Sequence, residues 1–195
     1  MNTRAYSMQR REAAAQATTD AILAAAADAF WDSPQAEVSL DDVASRAGVT
    51  VRTVLRKFGS KEGLLRATAA HQARLVSDQR SSATPGDLES IVTVLLEHYE
   101  EYGAKVLRLL AAEHTSPALK AVADQGRVFH RNWCETMFGP WLADVPVSDR
   151  PRRLAQFVAV CDVQTWRLLR LDCELRLHDT HLALLEILTP LTKEF

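Results

Sequence analysis

The chain has 195 residues, 23 Lys and Arg against 25 Asp and Glu, a formal net charge of −2 and 47% hydrophobic residues. That balance excludes disordered and fibrous classes and describes a globular chain long enough for one or two domains with a buried core. No apolar run reaches the ~18 residues of a membrane span, no signal-peptide core opens the chain, and three widely spaced cysteines (Cys134, Cys161, Cys173) read as reduced thiols of a cytoplasmic protein.

Met1 to Met8 reads as a disordered tail containing Arg4. Arg10 and Arg11 just beyond it are either solvated or set to reach phosphate beside a duplex. Ala13 to Trp31 is alanine-rich, with Ile22, Leu23, Ala26 and Phe30 along one side, which predicts an amphipathic helix. Asp32-Ser33-Pro34 ends it, because proline disfavours helix at the residue before it.

Ser39 to Phe58, SLDDVASRAGVTVRTVLRKF, predicts two short helices. Leu40, Val43, Ala44 and Ala47 line the first, and Val54, Leu55 and Phe58 the second. Ser39 and Thr50 are suitable N-caps, and Gly48 supplies the positive φ that a tight turn between helices requires. Ala44 is small where two helices would cross. This is helix-turn-helix spacing, which any small helical hairpin also can show. The second helix adds an outward set of Val51, Arg52, Thr53, Arg56 and Lys57, residues suited to base edges and phosphates. Between Arg46 and Arg66 there are six basic residues against one acid, Glu62, so positive charge concentrates here although the whole chain is mildly acidic. Ser60 then caps a fourth helix, whose N-terminus with Lys61 forms an anion site.

The run AGVTVRTVLRKFGSKEGLL resembles the segment that defines the tetracycline-repressor (TetR) family of bacterial regulators. Ala47, Gly48, Val49, Thr53, Phe58, Ser60, Lys61, Glu62, Leu64 and Leu65 match that pattern. Arg52 stands where the family often has Gly, and Leu55 where it usually has a phosphate-contacting Tyr. The resemblance is specific over about the first third of the chain. It implies an all-α protein: an N-terminal three-helix DNA-binding head at 12–76 and a larger helical ligand-binding and dimerisation domain at 77–195. It implies DNA contacts by Thr50, Val51, Arg52, Thr53, Arg56, Lys57 and Lys61 on a pseudo-palindromic operator.

Beyond Ser81-Ser82-Ala83-Thr84-Pro85-Gly86 only helices are predicted. One runs from about Thr84 to Tyr102, Gly103 interrupts it, and a short helix follows to about His114. Ser116-Pro117 opens a long helix that Gly139-Pro140 stops. Ser148 and Pro151 open the penultimate helix, to about Leu171, and Asp179 caps the last, Thr180 to Leu191. These last two (about 152–171 and 180–192) carry more apolar surface than one subunit core needs, which predicts an isologous four-helix homodimer interface. The TetR resemblance implies the same interface.

An aromatic and Met stripe at helical spacing is ordinarily core. The resemblance implies instead a cavity for an unknown small-molecule effector, lined by His98, Tyr102, Phe129, His130, Trp133, Met137 and Trp166. Asp162, in an apolar run, is a further candidate to orient a ligand, or else faces solvent or meets an Arg across the dimer seam. Cys173, His178 and His181 lack a fourth ligand and a suitable frame for zinc, so no metal and no cofactor is expected. No catalytic motif occurs. The sequence therefore reads as a non-enzymatic, cytoplasmic DNA-binding regulator, a repressor released by a small, largely apolar ligand. The alternative is a DNA-organising or protein-interaction factor on the same fold without an inducer.

Overall fold

The computed structural model describes residues 3–32, 38–115 and 117–193, with the side chains of residues 3–7, 9 and 118 excepted. Among the described residues all regular structure is helical. The chain divides into two compact units, Met1–Leu75 and Val76–Phe195. The division falls within α4 (Lys61–Arg80), so one continuous helix belongs to both.

The first unit begins with α1 (Thr3–Asp32), which starts earlier than expected: Thr3 to Met8 continue the helix rather than forming a tail. The side chain of Arg4 and the stop expected at Ser33-Pro34 lie outside the described residues. Helices α2 (Leu40–Arg46) and α3 (Val51–Phe58) follow. Their inner faces and that of α1 form one core of Ile22, Ala26, Val43, Ala44, Val54 and Leu64. Burial of each large aliphatic side chain contributes roughly 1.5–3 kcal/mol, and Ala44, 3% exposed, leaves the crossing close. Gly48 has φ +65°, in the left-handed region that the turn demands.

The second unit contains α5 (Leu88–Ala112), α6 (Pro117–Met137), α7 (Gly139–Ala143), α8 (Arg150–Val160), α9 (Val163–Arg167) and α10 (Leu177–Leu188). Its core joins Ile91, Leu95 and Tyr99 of α5 to Trp133 of α6, Phe157 of α8 and Leu184 of α10. Phe138 and Phe157 stack with ring centroids 4.0 Å apart.

Four expected boundaries move. Asp87, not Pro85, stands at the start of α5, its Oδ1 accepting from the Ser90 amide at 3.1 Å. Gly103 does not interrupt α5; it is buried within one unbroken helix. The penultimate helix breaks at Cys161–Asp162, because the Asp162 carboxylate accepts from the Gln164 amide at 2.8 Å and starts α9. Asp162 is therefore a cap. A π-helical turn, Leu168–Asp172, follows it. Asp179 lies in the first turn of α10, paired with Arg176 rather than capping.

Candidate nucleic-acid interface and effector core

Helix α3 is held from both ends. The Thr50 hydroxyl accepts from the Thr53 amide at 3.2 Å and lies 3.0 Å from the Thr53 hydroxyl. Val54, wholly buried, roots the inner face in the core. What remains outward is Arg52 and Arg56, four residues apart on one helical face, both exposed. Val51 and Thr53 are half-buried beside them, and Thr50 is exposed. Leu55 is 38% exposed, an apolar patch where the related pattern carries a Tyr.

Charge is distributed differently from a simple tally of basic residues. Arg46 donates to Asp42 at 2.9 Å and to Asp32 at 2.6 Å. These two carboxylates raise its pKa and spend its charge within the head. Lys57, expected at a phosphate, turns inward: its Nζ donates to the Ala15 carbonyl at 3.0 Å and the Thr19 hydroxyl at 2.8 Å. It braces α3 against α1.

At the start of α4, Ser60 accepts from the Gly63 amide at 3.0 Å. The Glu62 carboxylate is held below its usual range by its own backbone N–H and then by the Ser60 hydroxyl. Much of this helix terminus is thus satisfied within the chain, and Lys61 stands half-buried at its first position.

In the second unit the effector residues expected from sequence gather around one residue that sequence reading passed over. Arg80, 2% exposed, ends α4. Its Cζ lies 3.9 Å from the Trp133 ring centroid and 5.9 Å from those of Tyr99 and Phe129. Its carbonyl accepts from Trp133 Nε1 at 2.9 Å. The guanidinium, which can only donate, gives Nη2 to His130 Nδ1 at 3.4 Å, while His130 Nε2 donates to the Val158 carbonyl at 3.1 Å.

His98 lies beside this group, with Nδ1 3.1 Å from Gln79 Oε1. Burial, then the positive charge of Arg80, then His130, depress its pKa to about 3. Tyr102, half-buried, stacks on His98 at 5.3 Å. Trp166 stands farther off, 6.0 Å from Tyr99 and donating to Glu100 at 2.9 Å. Met137 is packed in the core.

Two thiols adjoin the cluster. The hydrogen bond from Cys161 pulls Cys134 down to about 5 against the opposing effect of burial, and the same bond with burial pushes Cys161 up. Phe129 also lines a depression of about 460 Å³ with Asp124, Gln125, Val128 and Asn132. Among the described residues no three His, Cys, Asp or Glu stand together as a metal site, and His181 lies instead 3.3 Å from Glu89. No described helix is long and apolar enough to cross a membrane.

A three-helix head with a capped second helix presenting two exposed arginines defines a helix-turn-helix, DNA-binding class of protein. Residues 22–68 match the model of the N-terminal domain of bacterial regulatory proteins of the tetR family. The chain is similar in structure to a transcriptional regulator from Rhodococcus sp. Rha1, at 17% identity and a TM-score of 0.60, over 88% of this chain and 96% of that one. It is also similar to a protein from Rhodococcus sp. described as a TetR-family transcriptional regulator, at 21% identity and a TM-score of 0.62, over 90% and 99%. At these identities the likeness shows the shared fold. No curated protein sequence matches the chain.

Proposed function

We propose that the chain is a cytoplasmic homodimeric repressor that releases its operator when a small molecule enters the second unit. The observation that carries the DNA-binding part is the Arg52–Arg56 pair, exposed on a helix fixed by Thr50 and Val54. In this reading Arg56 and Lys61 hold phosphates and set affinity. Arg52, with Val51, Thr53 and Thr50, meets base edges and sets sequence preference. Lys57 holds α3 at its angle on α1 through Ala15 and Thr19, and contributes to binding by positioning.

The effector part is supported by the cluster around Arg80 and by α4, which carries Lys61 at one end and Arg80 at the other. A ligand that favours the state with ill-spaced heads, by a coupling of about 1–3 kcal/mol, lowers operator affinity roughly 5–150-fold. The reading assigns no catalysis.

Fluorescence anisotropy on duplexes recovered by protection of genomic fragments tests it. Arg56→Ala should weaken binding to every duplex alike and reduce the salt dependence by about one phosphate contact. Arg52→Ala should cost about 1–3 kcal/mol and relax preference at one base pair. Duplex binding that survives both substitutions unchanged would overturn the assignment of α3 to DNA.

A further inference from the structure

A guanidinium is always protonated in a protein, and taking it out of water unpaired is costly. Arg80 is 98% removed from solvent, taking its exposure of 2% from the whole. Its Nε has no hydrogen-bond partner, and no carboxylate among the described residues forms an ion pair with it. Cation–π contact with Trp133 and a long hydrogen bond to His130 are what hold it. The nearby Cys134 sulfur is engaged by His130 at 3.8 Å and by Cys161. The cluster therefore holds one fixed positive charge and an unused donor inside an aromatic cage.

From this geometry we infer that Arg80 anchors the carboxylate of a small aromatic monocarboxylic acid, which reaches it by way of the Phe129 depression. The inference rests on the effector reading above and specifies its ligand class. Each part of the acid has its counterpart. The guanidinium fork matches a carboxylate in two parallel N–H···O bonds, satisfying Nε. The rings of Trp133, Tyr99 and Phe129 suit a flat apolar body. Phe129, half-buried, is shared by the cage and the depression, whose volume of about 460 Å³ is that of a small-ligand site. A phosphate dianion would bring a second negative charge that a single guanidinium does not balance, so the site selects monoanions.

Calorimetric titration and thermal melting of the full chain with benzoate, 3-phenylpropionate, their two amides and inorganic phosphate test this. At least one acid should bind and raise the melting temperature at millimolar concentration, while its amide and phosphate do not. Arg80→Met should weaken that acid about tenfold or more. Without ligand this variant should melt no lower than the parent, since an apolar isostere replaces an unpaired buried charge. Arg80→Lys, which keeps the charge and loses the fork, should bind the acid with intermediate strength.

Amides or phosphate binding as well as the acids, no binding by either acid, or full affinity in Arg80→Met would each overturn the inference. So would a ligand-free Arg80→Met that melts far lower, because the guanidinium would then be a structural element. None of these readouts involves DNA. Acid binding without operator release would sink the effector reading and leave the site standing.

Discussion

His98 is 4% exposed, and its imidazole shares a buried cluster with a charged guanidinium. An unfolded histidine takes up a proton near pH ~6.5, whereas this one resists until about pH 3. Between those values the unfolded chain binds a proton that the folded chain refuses, so stability falls as pH falls, by up to ~1.4 kcal/mol per pH unit. Above the unfolded value both states are neutral and the contribution vanishes. His98→Gln, whose amide can still meet Gln79, should flatten the acid limb of urea-unfolding stability between about pH 4 and 7. Equal slopes in the variant and the parent would show that His98 is not the group responsible. The same cluster marks how far side-chain roles can be read from sequence. The exposure of Arg52 and Arg56 was legible because a short amphipathic helix leaves only one outward face. Lys57 was not, since its hydroxyl partner Thr19 lies 38 residues away in the chain. Arg80 gave no signal at all: a single arginine before a Ser-Pro-Gly break looks solvated, and its aromatic cage is assembled from α5 and α6.

Gly103 illustrates the same point for elements. A glycine inside a helical pattern reads as a break because it costs about 1 kcal/mol relative to alanine. Here α5 continues through it, since a Cβ at this position would lie 2.6 Å from Trp166 Cζ3. The glycine makes room for an indole that Glu100 then fixes through Trp166 Nε1, while Arg170 holds the same carboxylate at 2.8 Å. Gly103→Ala should therefore destabilise the second unit by about 1–3 kcal/mol despite improving helix propensity. Adding Trp166→Phe, which removes the ring atoms in conflict, should cost less than the two single changes summed. Thermal melts of the four proteins check this, and strict additivity would mean that the ring does not set the cost. The break at Cys161–Asp162 escaped the sequence reading for the opposite reason. An apolar run predicts continuity, but the Tyr99 hydroxyl takes the Cys161 carbonyl at 2.9 Å and Asp162 restarts the helix. The order of the helical segments was legible from periodicity; their number and interruptions depend on contacts between elements.

For the whole molecule, apolar excess in the last two helical segments was the sequence signal for a partner copy. The structure leaves Leu168 53%, Leu171 51%, Leu182 43% and Ile187 45% exposed, on the segment after α8 and on α10. In the proposed homodimer a two-fold pairing of these segments would cover these side chains. Dimerisation matters for the proposed function because one head reads only a half-site. Joining two heads turns the second encounter into an intramolecular one, at an effective concentration in the millimolar range. Leu182→Glu with Ile187→Glu should therefore give a monomer by sedimentation velocity and lower operator affinity by about 10²-fold or more. The head itself should keep its fold, since neither residue belongs to its core. Val147→Glu is the matched control: it places the same charge on a side chain 76% exposed but outside these segments, and should leave both mass and affinity unchanged. A double variant that stays dimeric would move the interface elsewhere on the second unit. One that becomes monomeric yet binds the operator as tightly as before would break the link between pairing of the C-terminal helices and recognition by α3.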